Sequence, residues 1–274
     1  MVRSGRAHAF ELGTIRAFAM ASQIWLGHFR SHIAQFPVLL ADAQQRGDSQ
    51  TETSLVLLAH AHVHWLVRDC PEAAELAVQR AIENWPVPHR LSLQSVWALF
   101  SLAEIHLYRG DIRAAQCLFE SRWSAIKRSG HMRIPPIRIW FFYLRARIWM
   151  ATARKGSTAR EIRRALRIVE LQTNRLSREE LPLGHALATL CSGMLESASS
   201  RPNFARAAFE EAASRFEALG MQLFALASRW ACVSSSEAES TQLAEIESSV
   251  TALGVTAPQK ILKLLVTVQP QTAN

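Results

Sequence analysis

The stretch SLQSVWALFSLAEIHLYRGDIRAAQCLF, Ser92 to Phe119, decides the fold. Its first half places apolar residues on one face of a helix, at Val96, Leu99, Phe100, Ala103 and Leu107. Gly110-Asp111 then interrupts the pattern. Glycine can adopt the positive φ of a helix end, and aspartate can cap the helix that follows. The stretch therefore predicts two antiparallel helices joined by a tight turn.

The same alternation of helix and turn extends along the whole sequence. Glycine, proline and aspartate interrupt the apolar periodicity repeatedly, for example at Gly47-Asp48, Asp69-Cys70-Pro71, Pro135-Pro136 and Pro202-Asn203. These breaks predict about a dozen helices, and the short turns between them force neighbours to pack as antiparallel hairpins. Alternating β-branched runs bounded by Asn-Gly or Asp-Gly, which are typical of strands, are absent from the sequence.

The tripeptide Arg-Gly-Asp occurs twice, at residues 46–48 and 109–111. An adhesion motif would need an exposed extracellular loop. Both copies instead fall between predicted helices, where glycine suits a helix end and aspartate a helix cap. We interpret both as turn residues rather than as a recognition site.

A turn followed by small residues recurs along the chain. Asp69 to Ala74 aligns with Gly110 to Ala115, and Pro202 to Ala207 fits the same frame loosely. Gly156 to Glu161 fits it without the second alanine. Because one hairpin cannot cover its own apolar faces, the hairpins must stack. The predicted fold is an all-α solenoid of about five or six stacked antiparallel helical hairpins, with a repeat domain over residues 1–250 and a C-terminal capping helix and tail over 251–274.

The repeats resemble the tetratricopeptide repeat. The resemblance rests on the alanine after the turn, on Ala81 and on the closing proline Pro86. The spacing between repeats is longer than the usual length of about 34 residues. We therefore describe the expected solenoid as tetratricopeptide-like.

A broader resemblance covers most of the chain, from about residue 10 to residue 265. It is carried by FPVLLADAQQRGD (36–48), RDCPEAAELAVQRAIENW (68–85), LAEIHLYRGDIRAAQ (102–116), IRIWFFYLRARIWMATA (137–153), RAAFEEAASRFEALGMQLFALASRWACV (206–233) and LGVTAP (253–258). These segments resemble the C-terminal helical region of large bacterial serine/threonine protein kinases, in which a kinase domain and an ATPase module precede the helical repeats. The resemblance implies a protein-interaction or regulatory module in signal transduction, whose partner is a kinase domain, an ATPase domain or an acidic segment.

The catalytic motifs of such kinases are missing from this sequence. No GxGxxG loop, VAIK-type lysine, DFG triplet or GxxxxGK[ST] loop occurs. In Pro88-His89-Arg90-Leu91 a leucine stands where an HRD motif has its catalytic aspartate. We expect a non-catalytic chain without a cofactor.

The net charge of +8 arises in the middle of the chain. Residues 121–178 hold fifteen lysines and arginines against two acids. Within this block one face of a predicted helix is cationic, at Arg160, Arg163, Arg164 and Arg167. Such a face attracts phosphate, nucleic acid or an acidic protein. The simpler alternative is a solvated surface whose arginines stack on Trp140 and Trp149. Nucleic acid is the weaker candidate, because the sequence contains no helix-turn-helix or zinc-finger reader.

The sequence His60-Ala61-His62-Val63-His64 is a second candidate site. On a helix, His60 and His64 would lie one turn apart and could share a metal ion, but no third ligand is near in sequence. We favour histidines at partly buried helix contacts and no metal. His62 could also face the groove of the solenoid and take part in protein binding.

The remaining residues point to a cytoplasmic protein. The four cysteines lie far apart without a CxxC pair, which favours reduced and buried thiols, at Cys70, Cys117, Cys191 and Cys232. The tryptophans at helical spacing are most simply core residues. The start, MVRSGRAHAFELG, lacks the apolar core of a secretory signal, and no apolar run approaches the roughly eighteen residues of a membrane span.

Three alternatives stay open. A sensor region of a signal-responsive transcription regulator would need a DNA-reading domain, and a basic-face nucleic-acid binder would lose affinity log-linearly with salt. An enzyme would show a pocket in the groove with convergent titratable groups. We expect the ligand along the concave face of the solenoid. Because Met1 lies inside what resembles the middle of a solenoid, we also expect the first helix to expose apolar residues and recruit a second copy of the chain.

Overall fold

Every regular element is a helix in the part of the chain that the computed structural model describes, namely residues 2–85 (side chains from residue 13), 91–156, 158–234 and 240–268. The helices are α1 (Val2–Leu26), α2 (Phe29–Gln45), α3 (Ser49–Leu57), α4 (Val63–Leu66), α5 (Pro71–Glu83), α6 (Leu93–Tyr108), α7 (Ile112–Arg128), α8 (Pro135–Lys155), α9 (Ala159–Leu176), α10 (Pro182–Ala198), α11 (Pro202–Ala218), α12 (Gln222–Ser234), α13 (Ser240–Ala252) and α14 (Pro258–Leu265). A 3₁₀ turn spans Gly130–Arg133. Neighbouring helices pack in pairs, which confirms the prediction of an all-α array of stacked hairpins.

Both Arg-Gly-Asp tripeptides are turns, as predicted. Gly47 and Gly110 have φ angles of 62° and 76°, which L side chains rarely adopt. The Asp48 carboxylate accepts a hydrogen bond from the Thr51 backbone nitrogen at 3.0 Å and so caps α3. Asp111 caps α7 in the same way, by accepting from the Ala114 nitrogen at 3.2 Å. Each aspartate satisfies a backbone donor that the first turn of a helix leaves unpaired.

The hairpins form two layers. The inner layer contains α6, α8, α10 and α12, and the outer layer contains α5, α7, α9 and α11. Nearly every side chain of α8 between Ile137 and Ala153 is buried. By contrast α9 buries one face only, at Ala165, Val169, Gln172, Thr173 and Leu176. The inner helices are therefore covered on both sides, whereas the outer helices are amphipathic.

In three of the four outer helices the small residue of the hairpin is the fourth residue, whereas α9 has Ile162 there. Ala74, Ala115 and Ala205 occupy this position in α5, α7 and α11, and all three are fully buried. Ala207, which the sequence alignment placed in this series, is exposed, because the true register of that hairpin is two residues earlier. Pro86 and the kinase-like residues 88–90 lie outside the described residues.

The C-terminal segment lies against the inner layer rather than beyond the last hairpin. Helix α14 packs against α6, α12 and α13, and it buries Ile261, Leu262, Leu264 and Leu265. The Thr256 nitrogen donates to the Val67 carbonyl oxygen at 2.7 Å. We expected this segment to cap the end of the solenoid and a ligand to bind on the concave face. Residues 251–268 instead cover the inner side of the array themselves.

Helices α1 and α2 also pack against the inner layer and the C-terminal segment. The Trp25 ring at the end of α1 stacks on Trp140 of α8, with 6.2 Å between ring centroids. Trp140 lies 5.6 Å from the ring of Phe224 in α12. Arg30 donates to the Ala252 carbonyl oxygen at 2.9 Å. As predicted, these tryptophans belong to the core. Within the described ranges no helix is long and apolar enough to cross a bilayer.

Candidate functional site

The three histidines of residues 60–64 do not lie on one helix. Residues 58–62 form a turn between α3 and α4, in which Ala59 and His60 have φ angles of 47° and 71°. The sequence suggested that His60 and His64 lie one helical turn apart. The turn at residues 58–62 shows that they do not. Among the described residues no group of three histidine, cysteine, aspartate or glutamate side chains is arranged to hold a metal ion.

All three histidines are buried, and each has its own surroundings. His60 Nδ1 accepts a hydrogen bond from Trp25 Nε1 at 3.1 Å, and the His64 ring stacks on Phe36 with 4.2 Å between centroids. His62 Nε2 lies 2.7 Å from Glu104 Oε2. The interpretation of His62 as a groove residue for protein binding was wrong, because its side chain is completely buried.

Glu104 and Arg147 form a buried ion pair beneath α14. Only 3% of Glu104 and 1% of Arg147 is exposed, so each charge needs its partner. A second nitrogen of Arg147 donates to the Leu264 carbonyl oxygen at 3.0 Å, and the Tyr143 hydroxyl donates to the Leu265 carbonyl oxygen at 2.6 Å. These two donors satisfy carbonyl groups that the last turn of α14 leaves unpaired. His62, Glu104, Tyr143 and Arg147, which we call the buried polar cluster, thus fasten the C-terminal segment to the inner layer.

Burial and charge determine the protonation of this region. Burial alone would raise the pKa of Glu104, but the Arg147 guanidinium and the His62 hydrogen bond outweigh it and hold the pKa well below its usual range. Burial lowers the pKa of His60 and of His64 to about 3, and that of nearby His32 to about 4. These three histidines are therefore neutral at pH 7.

The void beside the buried polar cluster is small. A cavity of about 30 Å³ lies between Trp25, His60, Glu104, Arg147 and α14. This volume corresponds to one water molecule rather than to a substrate. Titratable groups of the inner layer converge in this cluster. They contact one another and the backbone of α14.

The arginines predicted as a partner-binding site form the exposed side of α9, and we call this set the basic face. The basic face contains Arg160, Arg163, Arg164 and Arg167, all exposed. The Thr158 hydroxyl and the Glu161 carboxylate cap the start of α9 reciprocally, so the helix begins at a defined residue. The only aromatic ring near a guanidinium of the face, among the described residues, is Trp149, 5.7 Å from Arg164. The expected stacking on Trp140 does not occur, because Trp140 is buried against Trp25.

No arginine of the basic face forms an ion pair with another described residue. The outer helix α11 differs in this respect. Its Arg206 pairs with Glu210 at 2.8 Å, and its Arg215 pairs with Glu211 at 2.6 Å, both one helical turn apart. The two outer helices therefore present different surfaces to solvent, one neutralised and one cationic.

A further group of cations lines a cleft that sequence reasoning missed. The cleft has a volume of about 400 Å³ and lies between the turn after α6, the end of α8 and α14. We call it the basic cleft and define it by five of its lining residues, Arg109, Arg154, Lys155, Lys260 and Lys263. A second cleft of about 570 Å³ adjoins it and is lined by Lys155 together with Arg113, Trp149 and Arg164, and also by the acids Asp111 and Glu161. Lys155 and Arg164 thus connect the basic cleft with the basic face.

The cysteines are partly as predicted. Cys191 is buried, and burial raises the pKa of its thiol to about 12. Cys70 and Cys117 are exposed, because both lie on the solvent side of the outer layer or in a turn, so the expectation of buried thiols was wrong for these two. All four cysteines are free thiols.

No protein-family model, no curated protein and no solved structure matches this chain.

Proposed function

We propose that this chain is a non-catalytic protein-interaction module that regulates or targets a signalling protein, and that the partner places an acidic segment on the basic face. The observation that carries the proposal is that none of the four arginines forms an ion pair with a described residue, although they lie on a helix whose opposite face is buried. Like charges three or four residues apart on a helix repel each other. A partner that supplies carboxylates removes this repulsion and gains charge-assisted hydrogen bonds.

The arrangement of the inner layer supports an outer binding surface. Helix α14 covers the inner side of α6 and α8, so that this side is in contact with the chain's own residues. The basic face belongs to the outer layer and lies free of α14. A partner can therefore reach it without displacing the C-terminal segment.

The sequence resemblance supports the kind of partner. The C-terminal helical region of bacterial serine/threonine kinases is the region that this chain resembles, and a kinase or ATPase domain with an acidic segment is the partner we propose. The module would act in the cytoplasm with its tetratricopeptide-like repeats as a scaffold. Catalysis would belong to the partner.

Affinity capture from native cytosol tests the proposal when it is followed by reconstitution. The bait is the wild-type chain, a variant with Arg160, Arg163, Arg164 and Arg167 changed to Glu, or an α11 control with Arg206 and Arg215 changed to Glu. We expect a captured protein that the α9 variant loses and the α11 control retains. Calorimetry with the purified partner must then reproduce the same order of affinities.

Two results would contradict the proposal. Identical captured proteins for the wild type and the α9 variant would show that the basic face is only solvated surface. Tighter binding to random-sequence DNA than to any captured protein, with a log-linear loss on added salt, would favour the nucleic-acid alternative.

A second copy of the chain is a further candidate partner. Ile15 and Phe18 lie three residues apart on α1, and 64% and 51% of their surfaces are exposed. Two copies that pack these faces together would bury them. Light scattering across a concentration series should detect this dimer for the wild type and lose it for Phe18→Ser. A wild type that stays monomeric at high concentration would exclude it.

A further inference from the structure

The basic cleft gathers cations from three distant parts of the chain. Arg109 follows α6, Arg154 and Lys155 end α8, and Lys260 and Lys263 belong to α14. The described residues that line the cleft include no aspartate or glutamate. Leu107, Ile112, Ala151 and Leu264 provide an apolar part of the wall. The cleft therefore offers positive charge beside an apolar surface.

Two of the five cations are neutralised by acids outside the cleft. Arg109 lies 2.5 Å from Glu75 and 3.4 Å from Glu72. Lys260 lies 2.9 Å from Asp69. These three ion pairs explain why the two side chains are present without a ligand.

The other three cations have no acidic partner among the described residues. Lys155 donates to the Gly110 carbonyl oxygen at 2.9 Å. Arg154 and Lys263 make neither an ion pair nor a side-chain hydrogen bond within the described ranges. Partial burial lowers the pKa of the Arg154 guanidinium, so this charge is less well solvated than that of an open surface arginine.

Helix ends account for part of this charge only. The cleft touches the C-terminal ends of α6, α8 and α14, and each such end carries roughly half a negative charge. The five cations and the three acids that pair with two of them sum to about +2, of which three helix ends offset about 1.5, so the positive charge left for a ligand is concentrated on Arg154, Lys155 and Lys263. A phosphate monoester carries about −1.5 to −2 at pH 7 and has three strong acceptor oxygens.

We infer that the basic cleft binds a phosphate monoester, and that the ester is a phosphorylated side chain in the acidic segment of the partner. The identity of the carrier rests on the proposed function, whereas the phosphate site does not. Arg154 and Lys263 are the groups that the phosphate would neutralise. The apolar wall suits the carbon stem of the phosphorylated residue. Because Lys155 lines both clefts, a segment that lies on the basic face can reach the basic cleft.

Calorimetry with the purified chain at fixed ionic strength tests this inference. The probes are a glutamate-rich peptide with one central phosphoserine, the same peptide with serine, and inorganic phosphate. The cleft variant carries Arg154→Gln and Lys263→Gln, and the matched control carries Arg160→Gln and Arg163→Gln on the basic face. Lys263, Arg160 and Arg163 are exposed, and Arg154 is exposed in part, so both variants should fold, which circular dichroism verifies.

The ratio of the two peptide affinities is the decisive quantity. For the wild type we expect the phosphopeptide to bind at least about tenfold more tightly, the equivalent of one charge-assisted hydrogen bond. The ratio should fall to about one in the cleft variant. In the basic-face control both affinities should fall while the ratio stays.

The remaining outcomes separate this inference from the proposed function. If the serine peptide binds through the basic face and phosphate adds nothing, the proposed function stands and the phosphate site is wrong. If inorganic phosphate binds to the wild type and not to the cleft variant, but neither peptide binds, the phosphate site stands and the acidic protein partner is wrong. A ratio that survives in the cleft variant overturns the site.

Discussion

Arg147 and the arginines of the basic face are one residue type in two opposite environments. Arg147 is 1% exposed and contacts Glu104, the Leu264 carbonyl group and the Tyr143 ring. The basic face is exposed, and the ion pairs between described residues do not include it. A buried cation must be matched within the fold, whereas an exposed one is free to vary. We therefore expect the basic face to contribute little to the stability of this chain.

Low pH should give the largest effect and act on the buried region. Burial lowers the pKa of His60 and His64 to about 3 and of His32 to about 4, from 6.5 in the unfolded chain. Below pH 6.5 the unfolded chain binds protons that the folded chain does not, so stability falls as the pH falls from 6.5 towards 4. At pH 4 the loss is on the order of 3 kcal/mol for each histidine. Urea unfolding at pH 7, 5.5 and 4 measures it.

Two histidine variants provide the control for the acid effect. His64→Leu removes one buried titrating group and should move the acid midpoint to lower pH. His28 is exposed, so His28→Gln should leave the midpoint unchanged. Equal shifts for both variants would contradict the assignment of the acid transition to buried histidines.

Arg147→Met should give the next largest effect. It leaves the buried Glu104 charge with His62 alone and removes the donor to the Leu264 carbonyl group, which should cost about 3–5 kcal/mol of unfolding free energy. The control is Arg16→Met, which breaks the partly exposed pair with Asp42 and should cost at most about 1 kcal/mol. Chemical denaturation of both variants at pH 7 makes the comparison.

A double variant sharpens the interpretation of this ion pair. Replacing both partners, Glu104→Leu with Arg147→Met, removes the buried charges together. The combined loss should be smaller than the sum of the two single losses, because neither charge is left unpaired. Strict additivity would show that the two side chains contribute independently.

The sequence predicted most helices and turns, although it missed the turn at residues 58–62, and it did not predict the contacts between distant hairpins. The periodicity of Ser92 to Phe119 and the Gly-Asp turns predicted α6, α7 and their connection correctly. The pattern of α9 also predicted which arginines are exposed. These features depend on residues within a few turns of each other, where helical geometry alone decides.

The buried polar cluster needed tertiary information. His62 and Glu104 are 42 residues apart, and Glu104 and Arg147 are 43 residues apart. One feature could have revealed the ion pair: opposite charges within the apolar runs of two inner helices, separated by about one repeat. The basic cleft carries no such pattern, because its cations come from three segments with unrelated local roles. The place of α14 was also unpredictable, since its apolar face fits many surfaces equally well.

Tyr143→Phe should destabilise the chain less than Arg147→Met. It removes the donor to the Leu265 carbonyl group at 2.6 Å, and an unsatisfied buried carbonyl costs about 1–3 kcal/mol. Tyr108→Phe is the matched control. The Tyr108 hydroxyl donates to Asp69, which keeps its ion pair with Lys260, so the loss should be below about 1 kcal/mol. Equal losses would mean that the hydrogen bond from Tyr143 to α14 stabilises the chain no more than the bond from Tyr108 to Asp69.

The smallest effect should come from the exposed arginines, and its sign separates the two outer helices. Changing Arg160, Arg163, Arg164 and Arg167 together to Gln removes repulsion between like charges three or four residues apart. Glutamine has nearly the helix propensity of arginine, so the unfolding free energy should stay constant or rise by up to about 1 kcal/mol at low salt. Arg215→Gln on α11 breaks a favourable pair with Glu211 and should lower it by about 0.3–0.5 kcal/mol.

Salt decides whether these small differences are electrostatic. At 1 M salt the Debye length shrinks to about 3 Å, so both changes should approach zero. A loss of stability in the α9 variant at every salt concentration would mean that the basic face supports the fold through packing of its long side chains. A gain at low salt that disappears at high salt would mean that the fold tolerates the basic face at a small cost, which is the behaviour expected of a surface kept for a partner.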